Sequence, residues 1–299
     1  MLTRAAKPIV IRRTCPSSAL RVEAGAGLHP VTSFVAGCEA STLARVSAGV
    51  HVDVFSSTIR PVGDRRAFFD ATELRRLEAM SRAEERDLYA TAHLLLRAGL
   101  HLATGIPAEE QRFDRLCRSC LEQHGPARLA PPGSPDAALL GRSFWPTPRV
   151  SLSYSKQRAV VAVCADREVG IDIDHWSTTD FTGFSAISLT PDEAGELQDF
   201  AAPDVPWAKA TWWARKEALF KACGYWLVVD GSSARVSPPD AEPRLVDWND
   251  ELPAPLVELV DIPVPGPYAC CLGVAGTERP TYRLIDATGD VAALAARAG

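Results

Sequence analysis

The run Val169-Gly170-Ile171-Asp172-Ile173-Asp174 constrains this chain more than any other stretch of it. Its alternation of isoleucine and aspartate fits a β-strand, in which successive side chains point to opposite faces. The isoleucines then enter a core, and the two carboxylates stand side by side on the other face. Like charges that close repel unless a cation sits between them or one is protonated. Further on, Trp213-Ala214-Arg215-Lys216-Glu217-Ala218-Leu219-Phe220-Lys221 reads as a helix. Spacing of four places Trp213, Glu217 and Lys221 on one face, and the crowd of Trp212, Leu219 and Phe220 argues against a wholly exposed element. Taken singly, each motif also fits a plainer role: an amphipathic strand with a wet face, or a solvated helix with an i,i+4 ion pair. Together they present three carboxylates and an ammonium, a set suited to Mg²⁺ bound to a phosphorylated substrate.

The rest of the sequence bounds this reading. A chain of 299 residues can build a sizeable core. A net charge of -5 gives no reason to expect nucleic acid or an anionic membrane as partner. No apolar run approaches the ~20 residues that span a bilayer. The eight cysteines are scattered rather than set in a small disulfide framework, so the cytoplasm is the expected compartment. Cys117-x-x-Cys120 with His124 is one ligand short of a structural zinc site and reads as a metal-free loop.

Residues 1–49 stand apart. Arg4, Lys7, Arg12, Arg13 and Arg21 precede the first acid, Glu23, yet Pro8, Ile9-Val10-Ile11 and Pro16 spoil the amphipathic helix of a transit peptide. The segment reads as an extension, disordered or dispensable, outside the fold. Residues 50–55 alternate as an opening strand. Thr72 is placed to cap a short helix, and Ser81-x-x-Glu84 to open a longer one that stops near Gly105. Residues 125–148, rich in proline and glycine, read as a surface excursion, and residues 150–163 resume strand character. Thr190-Pro191 starts another helix, Gly224 ends the Lys216-Glu217 helix, and strands are expected near 234–236, 256–260 and 269–274. No internal repeat is visible in the sequence. Strands and helices without a strict βαβ rhythm give an α+β class.

Gly170-Ile171-Asp172-Ile173-Asp174 followed by Trp213-x-x-Lys216-Glu217-Ala218-x-x-Lys221 resembles the paired signature of the 4'-phosphopantetheinyl transferases. Length points to the longer, surfactin-type members, with the resemblance running over residues 50–275. It implies two similar α/β halves forming a monomeric pseudo-dimer with the active site in the cleft between them. Residues 50–168 would be the coenzyme A side, and residues 169–299 would carry the metal-binding and catalytic motifs. The implied reaction is Mg²⁺-dependent transfer of phosphopantetheine from coenzyme A to a serine of an apo acyl, peptidyl or polyketide carrier protein, releasing 3',5'-ADP. Asp172, Asp174 and Glu217 would hold the metal, with Glu217 as base and Lys221 on the developing charge. Lys216 and Lys221, with Arg86, Arg97, Arg128, Ser153 and Tyr154, would contact the coenzyme.

The chain departs from the family pattern in several places. Tyr154 replaces a histidine in Val150-Ser151-Leu152-Ser153-Tyr154-Ser155, His93 stands where relatives tend to have arginine, and Pro126 replaces a basic residue after Gly125. Tyrosine offers a hydrogen bond but no positive charge at neutral pH. Asp174 is one methylene shorter than the commoner glutamate. The coenzyme side is thus thinned of cations, which leaves a second reading: a catalytically weak relative that binds carrier proteins or coenzyme A without efficient transfer. A third is an unrelated Mg²⁺-dependent phosphotransfer enzyme.

Overall fold

Hydrophobic alternation along two sets of strands builds two sheets, each covered on its outer face by helices. The computed structural model describes residues 49–61, 68–116, 123–130, 148–225 and 228–297. Residues 1–48 of the expected extension, Cys117, Cys120 and Trp226 lie outside the described residues.

The first sheet starts with β1 (His51–Thr58), and helices α1 (Ala71–Ala79) and α2 (Ala83–Thr104) follow it. Next come a short hairpin, β2 (Phe113–Leu116) and β3 (Gln123–Leu129), and then β4 (Arg149–Ser155) and β5 (Arg158–Cys164). The second sheet opens with β6 (Val169–His175), followed by helices α3 (Phe184–Ser188), α4 (Pro191–Glu196) and α5 (Val205–Cys223). A second hairpin, β7 (Ala234–Val236) and β8 (Leu245–Trp248), precedes β9 (Val257–Asp261) and β10 (Tyr268–Ala275). The chain finishes with β11 (Thr281–Asp286) and α6 (Thr288–Arg297).

Among the described residues the large sheets run β11-β1-β5-β4 and β6-β10-β9. Strand order first–third–second therefore occurs in both, as β1-β5-β4 and as β6-β10-β9. The pairings are antiparallel except β1 with β11, which is parallel. The chain passes from the first sheet to the second between β5 and β6. Beyond residue 280, however, the chain returns to the first half: β11 extends the first sheet, and Ala287 and Val291 are buried against α2.

Three cores stack through the molecule. Phe55, Val161 and Val163 meet Leu95, Leu96 and Leu100 on the α2 side. Ala214, Ala218 and Leu219 of α5 meet Ala269 and Cys271 on the other side. Between the sheets, Val52, Val54, Val160 and Ala162 meet Ile171, Ile173, Cys270 and Leu272. The isoleucines of the Ile-Asp-Ile-Asp run thus enter the inter-sheet core, as the alternation requires, and the aspartates turn toward α5.

Helix starts differ in detail from the sequence expectation. α1 is capped by Asp70 rather than Thr72, and Asp70 with Glu73 forms the capping box. α2 starts after Arg82 with no side-chain cap, so Ser81 and Glu84 form no box. A proline-free run that is helical anyway tolerates an open first turn exposed to water. α5 begins eight residues before Trp213 and stops at Gly224 in the left-handed conformation, φ 80°.

Candidate active site

β6 carries Asp172 and Asp174 toward α5 because the helix lies unusually close. Gly170 and Gly273 are cross-strand partners. A Cβ on Gly170 would run into the Ala218 carbonyl oxygen, and one on Gly273 would fall 2.7 Å from the same atom. Two glycines facing each other let the α5 backbone sit directly on the sheet, with Glu217 and Lys221 beside the aspartates. Lys221 Nζ donates to Asp172 Oδ1 at 2.6 Å and to the Ile171 carbonyl at 3.2 Å.

A ladder of side chains from β4 fixes the carboxylates across the seam between the sheets. β4 and β6 are edge strands of different sheets. Ser151 Oγ accepts from the Ile171 N–H at 3.0 Å, Ser153 Oγ donates to Asp172 Oδ1 at 2.8 Å, and Ser155 Oγ donates to Asp174 Oδ1 at 3.0 Å. Thr178 Oγ1 adds a 2.5 Å bond to the same Asp174 oxygen. Ser155 and Thr178 were not among the residues singled out from sequence. The odd-numbered serines of Ser151-x-Ser153-x-Ser155, sharing one strand face, were the available signal.

The electrostatics follow from crowding. Burial, and then repulsion from Asp172, push the Asp174 carboxyl up to about 7. Burial pushes Glu217 up to about 7 as well; Lys221 opposes this and both aspartates add to it. Burial presses the Lys221 ammonium down, but Asp172 and Glu217 outweigh it and the net shift is upward. The cluster thus holds more negative charge than Lys221 alone neutralises. Among the described residues no three carboxylate, imidazole or thiol groups are already drawn together at metal-holding spacing. The donor set nevertheless fits a hard cation. Among the described residues the hydrogen bonds to Asp172 and Asp174 fall on Oδ1, leaving each Oδ2 for a further partner.

The other residues expected at the site are placed differently. Lys216 is sealed in the core, where Nζ donates to Glu193 Oε2 at 2.5 Å and to the carbonyls of Ser188 and Gly231 at 2.8 Å. An ammonium has three donors, and all three are used, so Lys216 does not reach a phosphate. Arg97 is 1% exposed and donates to Glu73 at 3.1 and 2.7 Å and to the His93 carbonyl at 3.2 Å, so both terminal nitrogens of its guanidinium are committed. His93 and Arg115 converge on that same Glu73 at 2.7 Å each. Four charged or polar partners thus close a buried knot under α1, and His93 belongs to it rather than to a coenzyme cleft. Tyr154 points away from the serine ladder and packs edge-on to Tyr89, with ring centroids 6.4 Å apart. Arg86 donates to the carbonyls of Met80 and Ser81. Arg128 pairs with Glu168.

Residues 168–272, the segment that contains β6, α5 and the carboxylate cluster, match the family model of the 4'-phosphopantetheinyl transferase superfamily. The matched segment includes all three carboxylates and Lys221, while β4, which supplies the serine ladder, lies outside it. Among solved structures the chain is similar to Thermotoga maritima holo-[acyl-carrier-protein] synthase, at 20% identity and a TM-score of 0.30. That similarity covers 36% of this chain and 62% of the synthase, so the chain spans less than two thirds of its length. No curated protein sequence matches the chain.

Proposed function

We propose that this protein transfers the 4'-phosphopantetheine group of coenzyme A to a serine of an apo carrier protein, with Mg²⁺ held by Asp172, Asp174 and Glu217. The observation that carries the reading is the meeting of these three carboxylates with Lys221 between β6 and α5, inside the matched transferase segment. Bound there, the metal would offset charge on the pyrophosphate. The serine oxygen forms a new bond to the phosphorus that bears pantetheine. The anhydride P–O bond breaks, and its electron pair leaves with 3',5'-ADP. Glu217, a carboxylate with raised proton affinity, accepts the serine proton directly or through one water. Lys221 faces the charge that develops on the phosphate oxygens.

The two halves fit a pseudo-dimer. The repeated first–third–second strand order supports this, and so does a matching detail. In each half a capping-box glutamate also binds a cation of the long helix, Glu73 with Arg97 and Glu193 with Lys216. The glutamate and lysine of the site occur on α5, whereas Ala98 follows Arg97 on α2, so one cleft and not two carries the chemistry.

Incubation of apo carrier proteins of fatty acid, polyketide and nonribosomal peptide systems with coenzyme A and Mg²⁺ tests the reading by mass spectrometry. Gain of one phosphopantetheine mass is the expected result. Binding of coenzyme A without mass gain on any carrier would instead favour the weak relative. Burial of His93 and Arg97 in the Glu73 knot is the observation on that side.

A further inference from the structure

On the side of the second sheet away from β6, two strand edges face each other without pairing. Among the described residues β9 pairs only with β10, and β8 only with β7. Between them lies a cleft of about 510 Å³, with Leu245, Val246, Trp248, Leu256, Val257 and Leu259 in its lining. The Ile262 N–H donates to the Cys270 carbonyl and the Gly276 N–H to the Leu256 carbonyl, both between β9 and β10. Even-numbered residues of β9 therefore bond toward β10, and the N–H and C=O groups of Val257 and Leu259 point toward β8. Val246 and Leu256 are 43% and 70% exposed. An edge this open and apolar is a template for one more strand, and native folds cover such edges. The rim is acidic. Asp247 and Glu258 line the cleft, and Asp250 and Glu251 sit in the loop that joins β8 to β9. No ion pair joins these four to a described cation, and Arg244 is the sole basic residue from 240 to 261. The chain also enters the fold beside this cleft. A Cβ on Gly49 would lie 3.2 Å from Glu278 Oε1, and the Val50 carbonyl accepts from the Thr281 N–H at 2.9 Å, while Gly276 and Thr277 line the cleft itself.

We infer that the cleft is a docking site for residues 7–13 of this same chain, Lys7-Pro8-Ile9-Val10-Ile11-Arg12-Arg13, which bind there as an added strand on β9. The extension then holds the fold together in place of the dispensable role expected from its sequence, and the transfer chemistry is not involved. Ile9-Val10-Ile11 is a β-branched run of the kind that favours a strand, and Pro8 is tolerated because the added strand is an edge. Ile9 and Ile11 share a face and meet the apolar lining, while Lys7, Arg12 and Arg13 reach the carboxylates of the rim. No acid precedes Glu23, so nothing in the segment repels that rim. Residues 14–48 make the connection back to Gly49, and the cost of closing a connection rises only slowly with its length. A tether of this kind holds a segment near its site at an effective concentration that a free peptide matches only near the millimolar range.

Amide hydrogen exchange of the full chain, read by mass spectrometry, tests this. Arg12→Glu combined with Arg13→Glu should speed exchange across β9 by about tenfold, while α2 and β5 exchange as before. Adding Asp247→Lys and Glu258→Lys should restore the protection, because the charges are then exchanged across the contact. If those two substitutions lower the melting temperature, Ile9→Asp combined with Ile11→Asp decides alone. It removes the apolar contact without altering the cleft, and it should open β9 to exchange as well. Unchanged β9 exchange in either variant of the extension, or a charge swap that restores nothing in a stably folded protein, would overturn the docking. Protection that is lost on dilution in step with a dimer seen by light scattering would show that a second copy supplies the segment, and would overturn its assignment to the same chain.

Discussion

Glu217 and Lys216 are neighbours in sequence with opposite fates. Glu217 faces the aspartates, so Glu217→Gln removes a proton acceptor and a charge with almost no change in shape. Turnover should fall by at least about 100-fold, the range of general-base contributions, while coenzyme A affinity changes far less; equal losses in both would mark a simple binding ligand. Lys216 faces inward, so Lys216→Met leaves Glu193 buried without its partner, at a cost of about 3–5 kcal/mol. Its signature is a lowered melting temperature, with coenzyme A affinity retained in the folded fraction. Asp174 gives a test by pH. Its folded-state proton affinity, raised to about 7 by burial and by Asp172, means that folding takes up a proton. Its contribution to stability is therefore fully present below the ordinary carboxylate range, and is lost progressively as pH rises from there through about 7. His93 acts in the opposite sense. Burial holds its proton affinity down, and it weakens the fold below the ordinary histidine range. Comparing variants cancels that background. Asp174→Asn should be more stable than wild type at pH 8 in the presence of a chelator, and the difference should shrink by pH 5.5. Urea melts at the two pH values, with equal differences at both, would show that Asp174 is not under strain from its neighbours.

At the scale of elements, the contact between α5 and the β6-β10 pair decides whether a site exists. Gly170→Ala places a methyl against helix backbone, the Ala218 carbonyl and the Ala222 N–H, and backbone cannot swing aside as a side-chain end can. Overpacking of this kind costs about 1–3 kcal/mol or more. The expected result is a lowered melting temperature together with weakened coenzyme A binding, because the helix that carries Glu217 is levered off the strand that carries Asp172. Unchanged values of both would show that the helix has room that the close glycine pair denies. Arg215 anchors the other side of α5. It is 1% exposed and donates to Asp261 and to the carbonyls of Ser237, Pro238, Pro239 and Ala241, which ties the loop after β7 to the helix. In sequence it looks like one more cation in a basic helix.

For the whole molecule, the return of the chain end to the first half matters most. β11 protects β1 from becoming an edge strand, and Ala287 and Val291 fill the core under α2. Deleting residues 281–299 should therefore destabilise the half that does not contain Asp172, Asp174 and Glu217. It should expose hydrophobic surface detectable as dye binding, and yield aggregated or partly unfolded protein. A truncated chain with an unchanged cooperative melt would show that the tail only decorates the surface.

Much of the site was legible from residues alone. Strand alternation separates Ile171 and Ile173 from Asp172 and Asp174, and helical spacing aligns Glu217 with Lys221; both are local periodicities that the backbone imposes wherever such a sequence folds. The strong helix stops at Gly105 and Gly224 and the Thr190 capping box are local for the same reason. Partner choice is not local. Whether a lysine meets a phosphate or a buried glutamate depends on which strand or helix lies opposite, so Lys216 and Arg97 could be assigned only once Glu193 and Glu73 were seen beside them. The serine ladder likewise needs β4 and β6 laid edge to edge, a contact between different sheets that no sequence period records. The internal likeness of the halves escaped sequence reading for a related reason. Strand order and a glutamate–cation pair recur, but the cation changes from arginine to lysine and the cap from aspartate to threonine. The sequence by itself determined which residues could carry charge on a shared face; tertiary packing decided which of those charges were left free for chemistry.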